Sequence, residues 1–166
     1  MRPESAALRV LAAVIDEDLQ AIRRLDSALG KFSTGLVDAA WDDAGVWASA
    51  GALHGIYNAL ENTFVRISDT FGDKVDRSAR WHAELLQRML LDIPGLRAAV
   101  LPPETRPTVR ELLGFRHLYR HGYDLELNGE KLHQLVTRWR AGREEIMAAV
   151  EAFRQQVLRD AAQHDA

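Results

Sequence analysis

The sequence predicts an all-α fold, an up-and-down bundle of about five helices, and three observations carry that reading. Apolar residues recur at steps of three and four over several long stretches. No stretch sustains the every-second-residue alternation of a half-buried strand. Proline falls between those stretches and not inside them: four of the five prolines lie between residues 94 and 107. A chain of 166 residues fits one domain with a sizeable core, and 1–166 reads as a single unit without internal repeats or low-complexity tracts.

The first helix is expected from about Ser5 to Phe32, because Leu8, Leu11, Ile15, Leu19, Ile22, Leu25 and Leu29 form one apolar face. A break around Ser33–Gly35 follows. The second helix is expected from Asp38 or Trp41 to Phe71, with the stripe Leu53, Ile56, Leu60, Phe64, Ile67, Phe71 and with Tyr57 beside it; Gly72 stops it. A third helix starts near Asp76, a suitable N-cap, carries Trp81, Leu85 and Met89, and ends before Pro94-Gly95. The segment from Pro94 to Pro107 is a loop with one short turn at Leu96–Val100. Thr108 and Glu111 have capping-box spacing and open a fourth helix, which carries Leu112, Phe115 and Tyr119 and ends at His121-Gly122. The fifth starts after Asn128 and buries Leu132, Leu135, Trp139, Ile146, Val150, Phe153 and Val157.

Composition narrows the function classes. There is no cysteine, which excludes disulfides, thiol catalysis and cysteine-ligated metal. No run of 18 or more apolar residues exists, so no membrane span is expected. The acidic residues Asp16, Glu17 and Asp18 break the apolar core that a secretory signal needs, and the cytoplasm is the expected compartment. A net charge of −3 gives no global attraction to nucleic acid. Of the 21 basic residues 18 are arginine, whose planar fork suits carboxylates and phosphates; codon usage in a GC-rich genome is the better explanation of the bias.

The stretch that could carry chemistry is Arg116-His-Leu-Tyr-Arg-His121-Gly-Tyr123. An arginine followed five residues later by histidine is weak by itself: chance supplies roughly one such pair in this composition. The chain has three, Arg77/His82, Arg116/His121 and Arg159/His164, and only the second has a tyrosine two residues past the histidine. On a regular helix residues five apart point about 140° apart, so the two converge only where the helix ends or distorts, and Gly122 supplies an end. Carbonyls left free at a helix C-terminus favour a protonated imidazole there.

With that motif the chain resembles the HEPN superfamily in its HepT-like branch, whose signature is arginine, four residues, histidine, one residue, tyrosine. The run Phe115–Asn128, the segment Tyr57-Asn-Ala-Leu-Glu61 with Phe64 and Ile67, and Trp81-His-Ala-Glu-Leu-Leu extend the likeness over roughly residues 5 to 155. One departure is His117, where many HepT proteins have asparagine. The resemblance implies a metal-independent ribonuclease acting as a homodimer. It also implies a toxin paired with a small MntA-like nucleotidyltransferase antitoxin, which transfers AMP to the motif tyrosine.

Read onto this chain, the resemblance makes Arg116 and His121 the catalytic pair and Tyr123 the modification site. Cleavage of RNA without a metal, by attack of the 2′-hydroxyl on phosphorus, needs a proton carrier, a role for His121, and a cation on the developing phosphorane, a role for Arg116. A two-fold dimer would bring two copies of the motif to one cleft. Glu61 or Asn58, from the polar stripe His54–Asn58–Glu61, orients Arg116, and His117 and Arg120 support the site. No cofactor and no metal is expected: Glu130 and His133 have carboxylate-bundle spacing but lack a second set, and His117/His121 lack a third ligand. His82 and His164 read as exposed or structural. Trp41, Trp47, Trp81 and Trp139 read as core or dimer interface. Three readings remain: an active ribonuclease, an inactive HEPN bundle that binds a nucleotidyltransferase or a nucleotide, and a structural dimer with no ligand. In the second, Arg116 and His121 cap a helix and pair with an acid such as Glu61.

Overall fold

A computed structural model describes residues 4–33, 43–76, 80–121 and 127–164. Among them the chain forms five α-helices: α1 Ser5–Ser33, α2 Asp43–Phe71, α3 Trp81–Met89, α4 Arg106–His121 and α5 Gly129–His164. A 3-10 turn, Pro103–Thr105, precedes α4, and the only bridge among the described residues joins Ile93 to Arg97. The all-α bundle predicted from the periodicity is the fold. None of these helices is long and apolar enough to cross a membrane.

The stripes read from the sequence on α1, α2 and α5 lie in the core. All of those residues on α1, α2 and α5 are buried except Leu25, which is half-buried. α2 is the central element and packs on α1, α3, α4 and α5. Close approach to α1 explains Gly55: a Cβ there would stand 2.9 Å from Leu25 Cδ1. Polar ties fix the register of the long helices. Asp18 accepts from Asn62 and Thr63 of α2. Asp26 accepts the Trp139 indole N–H and, on both carboxylate oxygens, Nη1 of Arg143 from α5.

Helix ends depart from expectation in three places. The third helix begins at Trp81, not near Asp76, and Arg80 in the N-cap position makes no side-chain cap bond. Burial of Leu85, Leu86 and Met89 holds this short helix in place of a cap. The turn expected at Leu96–Val100 falls earlier: Leu96 N–H donates to the Ile93 carbonyl at 3.0 Å, with Pro94 at the second position and Gly95 at φ +76°. That is the residue pattern of a type II turn. The capping box is not used. α4 starts at Arg106, and Pro107 occupies its first turn, where a missing N–H costs no helix bond. Thr108 is instead buried inside the helix, close enough that a Cβ on Gly142 of α5 would meet its hydroxyl at 3.0 Å. Glu111 turns outward to Arg138 at 2.8 Å. α5 does begin as expected, with Asn128 Oδ1 accepting the Lys131 N–H at 2.9 Å.

Candidate functional site

The site grows from one carboxylate in an apolar stripe. On α2, Tyr57, Glu61 and Phe64 step by four and three along the buried face, so Glu61 is carried into the interior with its apolar neighbours. A buried carboxylate needs partners. Arg116 of α4 supplies Nη2 at 3.1 Å to Oε1, and His82 of α3 supplies Nδ1 at 2.6 Å to Oε2. The Tyr57 hydroxyl also hydrogen-bonds to Glu61. Burial, followed by the charge and hydrogen bond of Glu61, pushes the Tyr57 hydroxyl far above the usual phenol range.

His82 and Arg116 also meet each other. Arg116 Nη1 lies 3.2 Å from His82 Nε2. A guanidinium can only donate, so Nε2 carries a lone pair and the ring proton sits on Nδ1, facing Glu61. Three side chains from three helices thus close a ring of two hydrogen bonds and one ion pair. Burial pushes the His82 imidazole below the ordinary histidine value; Glu61 opposes this, while the charges of Arg116 and Arg120 reinforce it. His54, one and two turns upstream of Asn58 and Glu61, is lowered for the same leading reason, burial, with Arg116 and Arg120 adding to it.

The motif residues divide between inside and outside. Arg116 is 6% exposed; its Cζ lies 6.0 Å from the Tyr57 ring centroid, and its Nε is buried without a hydrogen-bond partner. His121, the last residue of α4, is exposed, and its ring centroid lies 4.7 Å from that of His117, also exposed. Arg120 is exposed beside them, near enough for its charge to act on His54 and His82. Of the two residues expected to orient Arg116, Glu61 is in ion-pair contact with it, and Asn58 Nδ2 lies 3.3 Å from His54 Nδ1. Tyr123 and the helix stop at Gly122 lie outside the described residues, as does Trp41. His82, expected as exposed or structural, is half-buried and bonds to both Glu61 and Arg116. Its only local signal is the Trp81-His-Ala-Glu segment, because its partners are 21 and 34 residues away in the chain.

Aromatic groups border this cluster. Tyr119 packs on His54 with centroids 4.7 Å apart, on Phe115 at 5.8 Å and on Trp47 at 6.3 Å. Trp139 is fully buried and Trp81 half-buried, whereas Trp47 is 48% exposed. Glu130 and His133 are exposed on α5. Among the described residues no three His, Asp or Glu side chains gather as a metal-ion site. A cleft of about 570 Å³ between the Asp92–Ala98 loop and the end of α5 includes Arg97, Asp160 and His164, and shares no lining residue with the Glu61 cluster.

A family model described as HepT-like protein matches residues 48–157, which spans α2 to α5 and contains Glu61, His82, Arg116 and His121. No curated protein and no solved structure matches the chain.

Proposed function

The chain belongs to the HepT-like family, and from that premise we propose that it is a metal-independent endoribonuclease of the HEPN type, cytoplasmic, working as a two-fold homodimer and silenced by an MntA-like nucleotidyltransferase antitoxin. One observation carries the reading. The helix that presents His121 to solvent is the helix whose Arg116 is gripped from two sides, by Glu61 and His82, in a pocket of polar groups. A held cation and an accessible imidazole on one helix, five residues apart, supply the two groups that phosphodiester cleavage needs: the 2′-oxygen attacks phosphorus, the 5′-oxygen leaves, and one proton is removed while another is delivered. Two copies of His121 in one cleft would divide those proton transfers between them. The competing reading, an inactive bundle that docks a nucleotidyltransferase, draws on the burial of Arg116.

RNA cleavage decides between them. The purified protein is expected to sediment as a dimer at micromolar concentration and to cut tRNA, leaving a cyclic phosphate on one product and a 5′-hydroxyl on the other. No cleavage favours the docking module. A clean monomer that still cuts removes the composite cleft.

Regulation at Tyr123 is a second expected result. After co-expression with a neighbouring nucleotidyltransferase gene, the intact mass is expected to rise by AMP units, and peptide mapping to place them on Tyr123. The competing tyrosines are poorly placed: Tyr57 is 1% exposed and Tyr119 is half-buried against His54 and Phe115. The added phosphate brings like charge and bulk to a phosphate site, so modified protein is expected to lose cleavage. An adduct mapped to Tyr57 or Tyr119 would sink this assignment.

A further inference from the structure

We propose that His82 is the positioning residue for Arg116, and that it holds the guanidinium only while its imidazole is neutral. The geometry is that of a latch. Glu61 Oε2 fixes the imidazole through Nδ1 at 2.6 Å, and the ring's other nitrogen receives Arg116 Nη1 at 3.2 Å. Glu61 Oε1 takes Nη2 at 3.1 Å, and Arg116 Nε has no partner. The orientation of the guanidinium therefore rests on one carboxylate oxygen and one imidazole lone pair. Removing the second leaves it free to swing about the Glu61 contact.

Protonation removes it. A proton on Nε2 turns the acceptor into a donor facing a donor, and sets two cations side by side. The charged groups that face His82 are Glu61 from α2, and Arg116 and Arg120 from α4; on its own helix the neighbour is the uncharged Trp81 ring, with centroids 3.7 Å apart. The two arginines and burial favour the neutral ring, and Glu61 alone opposes them. The latch is therefore closed at neutral pH and opens on the acid side of the ordinary histidine range. The His82 side chain is 20% exposed, so solvent protons can reach it. Stability follows the same sign. The folded-state value lies below the unfolded one, so this contribution is complete above the unfolded value and lost as pH falls through the folded one.

The latch itself stands on geometry; its effect on cleavage rests on the ribonuclease reading, and the test separates the two. Full-length protein labelled with ¹⁵N-arginine and ¹⁵N-histidine is titrated by NMR as wild type, His82→Gln and His82→Ala. The Arg116 side-chain signals are expected to move with the His82 midpoint, and that midpoint to fall below the usual histidine value. In His82→Gln, whose amide donates to Glu61 and accepts from Arg116 without titrating, the Arg116 signals are expected to stop moving. Wild-type Arg116 signals that ignore the His82 midpoint, or that still titrate in His82→Gln, overturn the latch.

Cleavage of tRNA across the same pH range is the second arm. His82→Ala is expected to lose roughly 10–100-fold at neutral pH, the scale of a misplaced catalytic group. His82→Gln is expected to recover about tenfold of that loss and to shift the acid limb. An unshifted limb in an active His82→Gln overturns the link to catalysis. If the wild type cuts no RNA, the ribonuclease reading fails, and the NMR arm still decides the latch.

Discussion

His121→Ala is expected to abolish most RNA cleavage, on the order of 10²–10⁴-fold, the usual range for a general acid–base group. The melting temperature is expected to stay where it is in the wild type. His121 is the exposed last residue of α4, and its ring contact is with the equally exposed His117, so its removal leaves neither a cavity nor a buried unpaired group. Thermal melts and tRNA cleavage are measured together, with chelator present throughout. Wild-type activity is expected to persist in chelator, because the proposed chemistry assigns proton transfer to His121 and charge stabilisation to Arg116. If His121→Ala cuts as well as wild type, the motif is structural and the docking-module reading takes over. If chelator stops the wild type, His117 and His121, with rings 4.7 Å apart, become the first residues to test as metal ligands.

The bundle was legible because burial of a helix face leaves a direct trace, the step of three and four. Every stripe residue named on α1, α2 and α5 is buried or half-buried. On α4 the stripe was read one row off. Leu112, Phe115 and Tyr119 were expected inside, but the buried row is Thr108, Val109, Leu112 and Arg116, with Phe115 and Tyr119 half-buried at its side. The trace was present: Arg116 stands four residues after Leu112 and seven after Val109, in line with both. An arginine in an apolar row demands a buried acid, and Glu61 stands in an apolar row of its own, four residues after Tyr57 and three before Phe64. Asn58 stands outside that row, where it meets His54. The partner of Arg116 could thus have been chosen from periodicity alone. The place of His82 could not, since it depends on how the short α3 seats against α2 and α4, and no local pattern encodes that packing. The start of α4 was missed for a related reason. Capping-box spacing competes with tertiary contacts, and burial of Thr108 against Gly142 won.

Arg116→Ala is expected to damage both activity and the fold, and the two losses come apart in a second variant. The buried ion pair sets Arg116→Ala apart from His121→Ala in stability. The Arg116 and Glu61 side chains are only 7% and 10% exposed, so Arg116→Ala leaves a buried carboxylate without its permanent counter-charge, at a cost of up to roughly 3–5 kcal/mol. Cleavage is expected to fall on the order of 10²–10³-fold, as when a group that stabilises developing negative charge is lost. Arg116→Lys is expected to restore part of the stability but not full activity, because an ammonium on a flexible stem cannot serve Glu61 and His82 in one plane. The decisive variant is Arg116→Met with Glu61→Gln. It removes both charges and keeps a neutral hydrogen-bonding group beside Tyr57 and His82, so most of the lost stability is expected to return. Its cleavage is expected to stay at the level of Arg116→Ala, since no cation remains to meet the phosphorane. Chemical denaturation and tRNA cleavage on the same preparations supply both numbers. A double variant that regains cleavage along with stability would make Arg116 a strut of the fold alone. A single Arg116→Ala that denatures like wild type would mean that the ion pair with Glu61 does not hold the helices together.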